Sequence, residues 1–211
     1  MPSASNQLIN QTYSYLSLRK AVGWIGILLP AVLPLGDMLI FGEKGIRENI
    51  SVYYHSGMRD LFVGSLCAIA LFLFFYRGYD KWDNRAASLA GFFALGIAFF
   101  PTVQSGPYDT QATIHFICAA AFFAILAGMS IFLFTRKKAE PTKRKLIRNR
   151  IYIICGLVMV APMGAILLFM MFFAKQHPGS RLVFWCETIA LLAFGISWLT
   201  KGGTVYPDKK G

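Results

Sequence analysis

The sequence predicts an all-α polytopic membrane protein, a six-helix transmembrane bundle with both termini on the inner side (N-in, C-in). Three observations carry that reading. Of 211 residues, 56% are hydrophobic and only 15% charged, where a soluble domain carries about 25% charged. Six apolar runs approach the length of about 20 residues that a helix needs to cross hydrocarbon. The basic residues also segregate between alternate connections, the pattern that sets orientation in a bilayer. The same composition excludes a disordered chain and a disulfide-stapled secreted domain. It also leaves the net charge of +11 no soluble surface on which to meet nucleic acid.

Residues 1–20 form a polar inner segment with Ser3, Ser5, Asn6, Gln7, Asn10 and Gln11, ending on Arg19-Lys20. The first span, 21–41, is too long for a signal-peptide core and lacks a small-x-small exit, so it is read as retained. Pro30 and Pro34 should kink it. The second span covers 61–76. The third, 86–103, carries Ala90, Ala94 and Ala98, and the fourth, 113–135, carries Ala120, Ala124 and Gly128. Small residues at that spacing let neighbouring helices pack closely. The fifth span, 151–173, contains Pro162, the sixth covers 182–200, and residues 201–211 form an inner tail. Every connection is short, so residues 21–200 are one transmembrane domain. Cys67, Cys118, Cys155 and Cys186 all fall in apolar runs and read as small buried hydrophobes.

With the N-terminus inside, the inner segments hold sixteen Lys and Arg: Arg19, Lys20, Arg77, Lys81, Arg85, eight between Arg136 and Arg150, Lys201, Lys209 and Lys210. The outer segments hold five: Lys44, Arg47, Arg59, Lys175 and Arg181. The eight central ones, Arg136, Lys137, Lys138, Lys143, Arg144, Lys145, Arg148 and Arg150, are read first as a topology determinant. They are read second as a contact for anionic lipid headgroups, at about 1 kcal/mol per basic residue near the surface.

The polar residues of the outer side are more informative. Asp37, Asp60, His115 and Glu187 come from four different spans, yet share one depth band near the outer ends. Ionisable groups in a bilayer are costly unless they face the bundle interior, and there they mark a candidate site. The stretch 50–60 adds Ser51, Tyr54, His55 and Arg59. The expected ligand-binding set is therefore Asp37, Ser51, Tyr54, His55, Arg59, Asp60, His115 and Glu187, with Arg59 as the local counter-charge. Within it His55, Asp60, His115 and Glu187 have the chemistry to hold a divalent metal such as zinc with an open water position. The residues 101–112 either form a lid over the same mouth or a solvated turn. Plainer readings stand beside these. Asp60 could complement its helix N-terminus with Ser56 as the cap. Asp37 and Glu187 could pair structurally with Arg59 or Arg181. His177 precedes Pro178-Gly179 and reads as a turn residue.

The segments SVYYHSGMRDLFVG, from Ser51, and LFLFFYRGYDKWDN resemble uncharacterised six-span bacterial membrane proteins. They are distantly similar to the DRAM-like autophagy-modulator and GPI-lipid-remodelling families. A fainter resemblance is to the alkaline ceramidase and adiponectin-receptor superfamily of membrane hydrolases. Ser51 and His55 match its Ser-x-x-x-His, and Asp60 its nearby Asp, while the sixth span has Glu187 and no histidine, and a seventh span is missing. The first resemblance implies a six-span, N-in, C-in fold. The second implies a zinc-dependent lipid hydrolase.

Four functional readings follow, in order of preference. The first is a membrane protein whose outer-leaflet polar pocket binds a lipid headgroup or small amphiphile. The others are a structural or assembly partner without ligand, a metal-assisted lipid hydrolase, and a small transporter. The expected partners are membrane lipids and either a second copy or another membrane protein. The expected location is the bacterial inner (plasma) membrane. The identity of any ligand or cofactor stays open.

Overall fold

The computed structural model describes residues 4–104, 106, 109–136 and 142–207, with side chains from residue 15 onward. Among the described residues it is 76% helix without strands, and six α-helices follow one another: α1 Ala4–Ile40, α2 Arg59–Phe75, α3 Lys81–Phe99, α4 Thr110–Gly128, α5 Lys143–Phe172 and α6 Leu182–Lys201.

Four segments are long and apolar enough to cross a membrane: Tyr15–Ile40, Thr110–Leu133, Lys143–Phe172 and Leu182–Lys201. The other two helices fall short for visible reasons. Helix α2 has 17 residues. Helix α3 has 19 but carries Lys81, Asp83 and Arg85 in its first turns. The chain is thus an all-helical protein with four membrane-spanning candidates and two shorter helices packed among them.

Each helix packs on its neighbours in sequence, and α6 closes the ring against α1. That closure rests on glycine: a Cβ on Gly195 would stand 2.6 Å from the Gly23 carbonyl oxygen, so the two backbones meet with no side chain between them. The alternation of directions gives the bundle two ends. One, the basic end, gathers Arg77, Lys81, Arg136, Lys143 and Lys201. The opposite end gathers the segments 41–58, 100–104 and 173–181. The core is aromatic at the basic end. Phe72, Tyr76, Phe134 and Phe194 surround Trp198 with centroids 5.2–6.2 Å away.

Several expectations need correction. The polar segment 4–20 is not separate from the first span, because α1 runs unbroken from Ala4 through Pro30 and Pro34. The basic segment is not all loop. Thr142 caps α5, accepting from the Lys145 amide at 3.2 Å, so Lys143, Arg144, Lys145, Arg148 and Arg150 lie on two helical turns. The small-residue stripe of α3 packs as expected, with Ala90, Ala94 and Ala98 all buried. The stripe of α4 does not, since Ala120 and Ala124 are exposed and open space surrounds Gly128. Helix α4 presents Cys118, Phe122 and Leu126 to the core instead. It ends in a π-helical turn, Met129–Leu133, which sets the buried Ser130 hydroxyl on the Tyr152 carbonyl and the Ser197 hydroxyl, both at 2.8 Å. The four cysteines are free thiols.

At the basic end, Asp80 caps α3 and accepts from the Trp82 and Asp83 amides at 2.8 and 3.1 Å. Asp83 reciprocates to the Asp80 amide at 3.3 Å, a two-carboxylate version of the capping box. The Asp83 amide, joined by the Arg136 guanidinium, holds the Asp80 carboxyl below its usual range.

Candidate functional site

The segment 41–58 does not loop away from the bundle. It folds down across the opposite end as a plug. Its apolar residues Ile50, Val52, Tyr53 and Met58 are buried, and a 3₁₀ turn, Ser51–His55, lies in its centre. A buried backbone segment must find partners for its polar groups. Glu187 supplies one of them, and other predicted site residues tie the plug through its side chains.

Asp37, on the last turns of α1, is 0% exposed and pairs with Arg47 of the plug, Nε to Oδ2 at 2.7 Å. The counter-charge is Arg47, not Arg59 as expected. Arg47 also reaches Glu43 at 3.7 Å, and its backbone amide donates to the Tyr53 hydroxyl at 3.3 Å. Burial pushes the Tyr53 phenol above its usual range, so it remains a neutral hydroxyl. Glu187, on α6, accepts from the Ile50 amide at 2.6 Å. Two residues earlier in the plug, the Glu48 carbonyl accepts from the Phe184 amide at 3.0 Å, satisfying the first turn of α6.

His115, on α4, is 1% exposed. Its Nδ1 lies 2.7 Å from the Phe100 carbonyl and its Nε2 lies 2.9 Å from the Ser51 hydroxyl. A carbonyl can only accept, so the hydrogen-bond network assigns the proton to Nδ1, and neutral Nε2 accepts from Ser51. A serine donating to an imidazole is also the arrangement of a nucleophile and its base. Here both the serine and the histidine are buried, and the contact ties plug, α3 and α4 together. His55 makes a similar tie from the edge of the plug, its Nε2 donating to the Thr102 carbonyl at 2.6 Å. Thr102 is buried, and Asp109 caps α4 at the Ala112 amide, 2.7 Å. These parts of 101–112 are structural turns, while Ser105 and Tyr108, on which the lid reading partly relied, lie outside the described residues.

Of the four residues expected at one depth, Asp37, His115 and Glu187 therefore meet the plug region with Ser51 and His55, and Asp60 does not. Each holds its own partner there: Asp37 the Arg47 side chain, His115 the Ser51 hydroxyl and the Phe100 carbonyl, His55 the Thr102 carbonyl, and Glu187 the Ile50 amide of the plug. This also removes the metal set. Among the described residues no three His, Cys, Asp or Glu come together to hold an ion. The physical reason is that His55, His115 and Glu187 each face a backbone or hydroxyl partner of their own, while Asp60 stands apart on the surface.

Three members of the predicted set lie elsewhere. Tyr54, Arg59 and Asp60 line a lateral groove of about 470 Å³ between the start of α2 and the end of α3, completed by Val63, Gly64, Ala98 and Phe99. Arg59 donates to the Tyr54 hydroxyl at 2.7 Å and stacks 4.4 Å from that ring's centroid. Nothing approaches within 4 Å of a Cβ built on Gly64, so this glycine leaves the groove open. The structure does not put Ser56 at the α2 cap: Met58 occupies that position, and the Ser56 hydroxyl accepts from its amide at 3.0 Å.

The basic residues divide as well. Arg136 pairs with Asp80 and Asp83. Lys145 donates to the Phe134 carbonyl at 2.8 Å, and Arg144 to the Pro207 carbonyl. Lys143 and Arg150 are exposed, Arg148 is half-buried, and Lys137 and Lys138 lie outside the described residues.

Arg47 was missed by sequence reasoning. Its only signal was being one of five basic residues on its side of the membrane, ten positions after a buried acid. The Asp80–Asp83 pair was missed too, although its spacing is that of a helix start.

Comparison with protein-family models, with curated proteins and with solved structures finds no match to this chain. The class is therefore defined by fold and composition: an all-helical membrane protein whose non-basic end is closed by a hydrogen-bonded plug.

Proposed function

We propose that this chain is a six-span integral protein of a bacterial plasma membrane, N-in and C-in, that binds the headgroup of a lipid or small amphiphile in the groove at Tyr54, Arg59 and Asp60. One observation carries the binding reading. A guanidinium and a carboxylate, adjacent in sequence, line one groove whose remaining walls are Val63, Gly64, Ala98 and Phe99. Opposite charges at the mouth with apolar walls behind them match a zwitterionic headgroup: phosphate at Arg59 and ammonium at Asp60, with an acyl chain along the wall. The groove opens sideways, where lipids are. The ring order of the helices supports counting α2 and α3 as spans, and the concentration of Lys and Arg at one end supports N-in.

Two experiments test this reading. Reporter fusions after Lys143 and after Ser105 should report inside and outside respectively, and the reverse at either point defeats the topology. For the groove, the full chain is reconstituted in mixed-lipid nanodiscs, and retained phosphatidylethanolamine is counted by native mass spectrometry. Gly64→Phe should fill the groove and Arg59→Gln remove the phosphate contact. Each should lower retention about fivefold or more, the scale of one lost charge-assisted contact. Retention unchanged in both variants rejects the site. It would leave the structural reading, which the ties of Asp37, His115 and Glu187 to the plug already favour for that part of the molecule.

A further inference from the structure

The seam between α2 and α3 carries a second groove, at the basic end. It is a shallow, open groove of about 610 Å³, lined by Arg77, Asn84, Arg85, Ser88, Leu89 and Phe92. We propose that it holds an anionic glycerophospholipid of the adjoining leaflet, with the phosphate between Arg77 and Arg85 and an acyl chain over Leu89 and Phe92.

The polar part of the lining consists of hydrogen-bond donors. Arg77 comes from the connection after α2, and its Nη1 is held by the Phe74 and Tyr76 carbonyls, both at 3.2 Å, leaving Nε and Nη2 for a ligand. Arg85 stands 5.4 Å from the Trp82 ring centroid, with Trp82 itself exposed as an interfacial anchor is. Asn84 has its Oδ1 committed to the Gly78 amide at 2.8 Å, which assigns its other end, the NH₂, as the free one. Ser88 adds a hydroxyl one turn further. No carboxylate lines the groove. The two acids described nearby, Asp80 and Asp83, are both paired with Arg136. Two guanidinium groups thus line one open groove without a counter-ion among the described residues, a configuration suited to a phosphodiester. Nothing there would receive an ammonium, which separates this groove from the one with Asp60.

The apolar part is equally placed. Residues 85, 88, 89 and 92 share one face of α3 by helical spacing, so the groove descends from charge to hydrocarbon. Leu89 is 49% and Phe92 62% exposed, against the acyl region in a bilayer. A soluble phosphate would use the arginines and leave this wall idle, whereas a phospholipid uses both. The inference is independent of the Arg59 groove.

The test uses the full chain in phosphatidylcholine nanodiscs doped with phosphatidylglycerol, with bound lipid identified by native mass spectrometry. The parent should retain phosphatidylglycerol in preference to phosphatidylcholine. Arg85→Gln should reduce that preference about fivefold, the effect of one basic residue at an anionic surface, and Ser88→Phe should block it sterically with both arginines intact. Lys143→Gln with Arg150→Gln, on the exposed face of α5, should leave it unchanged. Equal retention of the two lipids by the parent overturns the proposal. So does a preference lost only in the α5 variant, or one abolished by millimolar inorganic phosphate, which would mark a soluble-anion site.

Discussion

Replacing Arg47 by Ala should destabilise the protein by about 3–5 kcal/mol, the range for breaking one partner of a buried ion pair. The reason lies with the partner. Asp37 is 0% exposed, its Oδ2 rests on Arg47, and its Oδ1 is buried without a hydrogen bond. Removing the guanidinium leaves a buried carboxylate without its charge partner. Asp37→Asn in the same background should recover much of the loss, since an amide carries no charge to strand. Unfolding in mixed detergent, followed by helix content, reads both variants. Equal stability of Arg47→Ala and the parent would mean that the pair does not form.

His115→Ala should have an effect of similar size by a different route. It orphans the Phe100 carbonyl and the Ser51 hydroxyl together, at about 1–3 kcal/mol each for buried polar groups, and opens a cavity where a ring sat. The plug should loosen before the helices part. Amide exchange would show this as faster exchange over residues 50–56 with α6 still protected near Trp198. Uniform acceleration across the bundle would instead assign His115 to the global core. Ser51→Ala removes the hydroxyl alone and should cost less, about 1 kcal/mol. A similar loss in both variants would contradict the two-bond geometry.

Much of the fold was legible because membrane helices announce themselves by apolar length. The sixth, read over 182–200, forms over Leu182–Lys201. What misled was charge. The run from Lys143 to Arg150 read as loop because lipid excludes it, yet a helix continues outside lipid as readily as inside, and Thr142 starts one there. In the site, the depth band was legible: Asp37, His115 and Glu187 do meet one region. Their partners were not. Ile50 of the plug and Phe100 and Thr102 just after α3 contribute main-chain groups, and every residue type carries those, so nothing in the composition of either segment marks them. Arg47 and Arg59 offer the same chemistry at similar depth, and only the path of the plug chooses between them.

Helices α2 and α3, adjacent in the ring, carry a further consequence. At 1.5 Å per residue their 17 and 19 residues rise about 25 and 28 Å, less than the roughly 30 Å of an average hydrocarbon layer. In the six-span arrangement this makes one sector of the protein's circumference lower than the rest. Lipids beside it must compress, at a cost of fractions of a kcal/mol per ångström of mismatch. On that arrangement the bilayer would be dimpled beside α2 and α3, and two copies bringing those flanks together would share a single dimple in place of two, so that bilayer thickness itself would orient and sort the molecule.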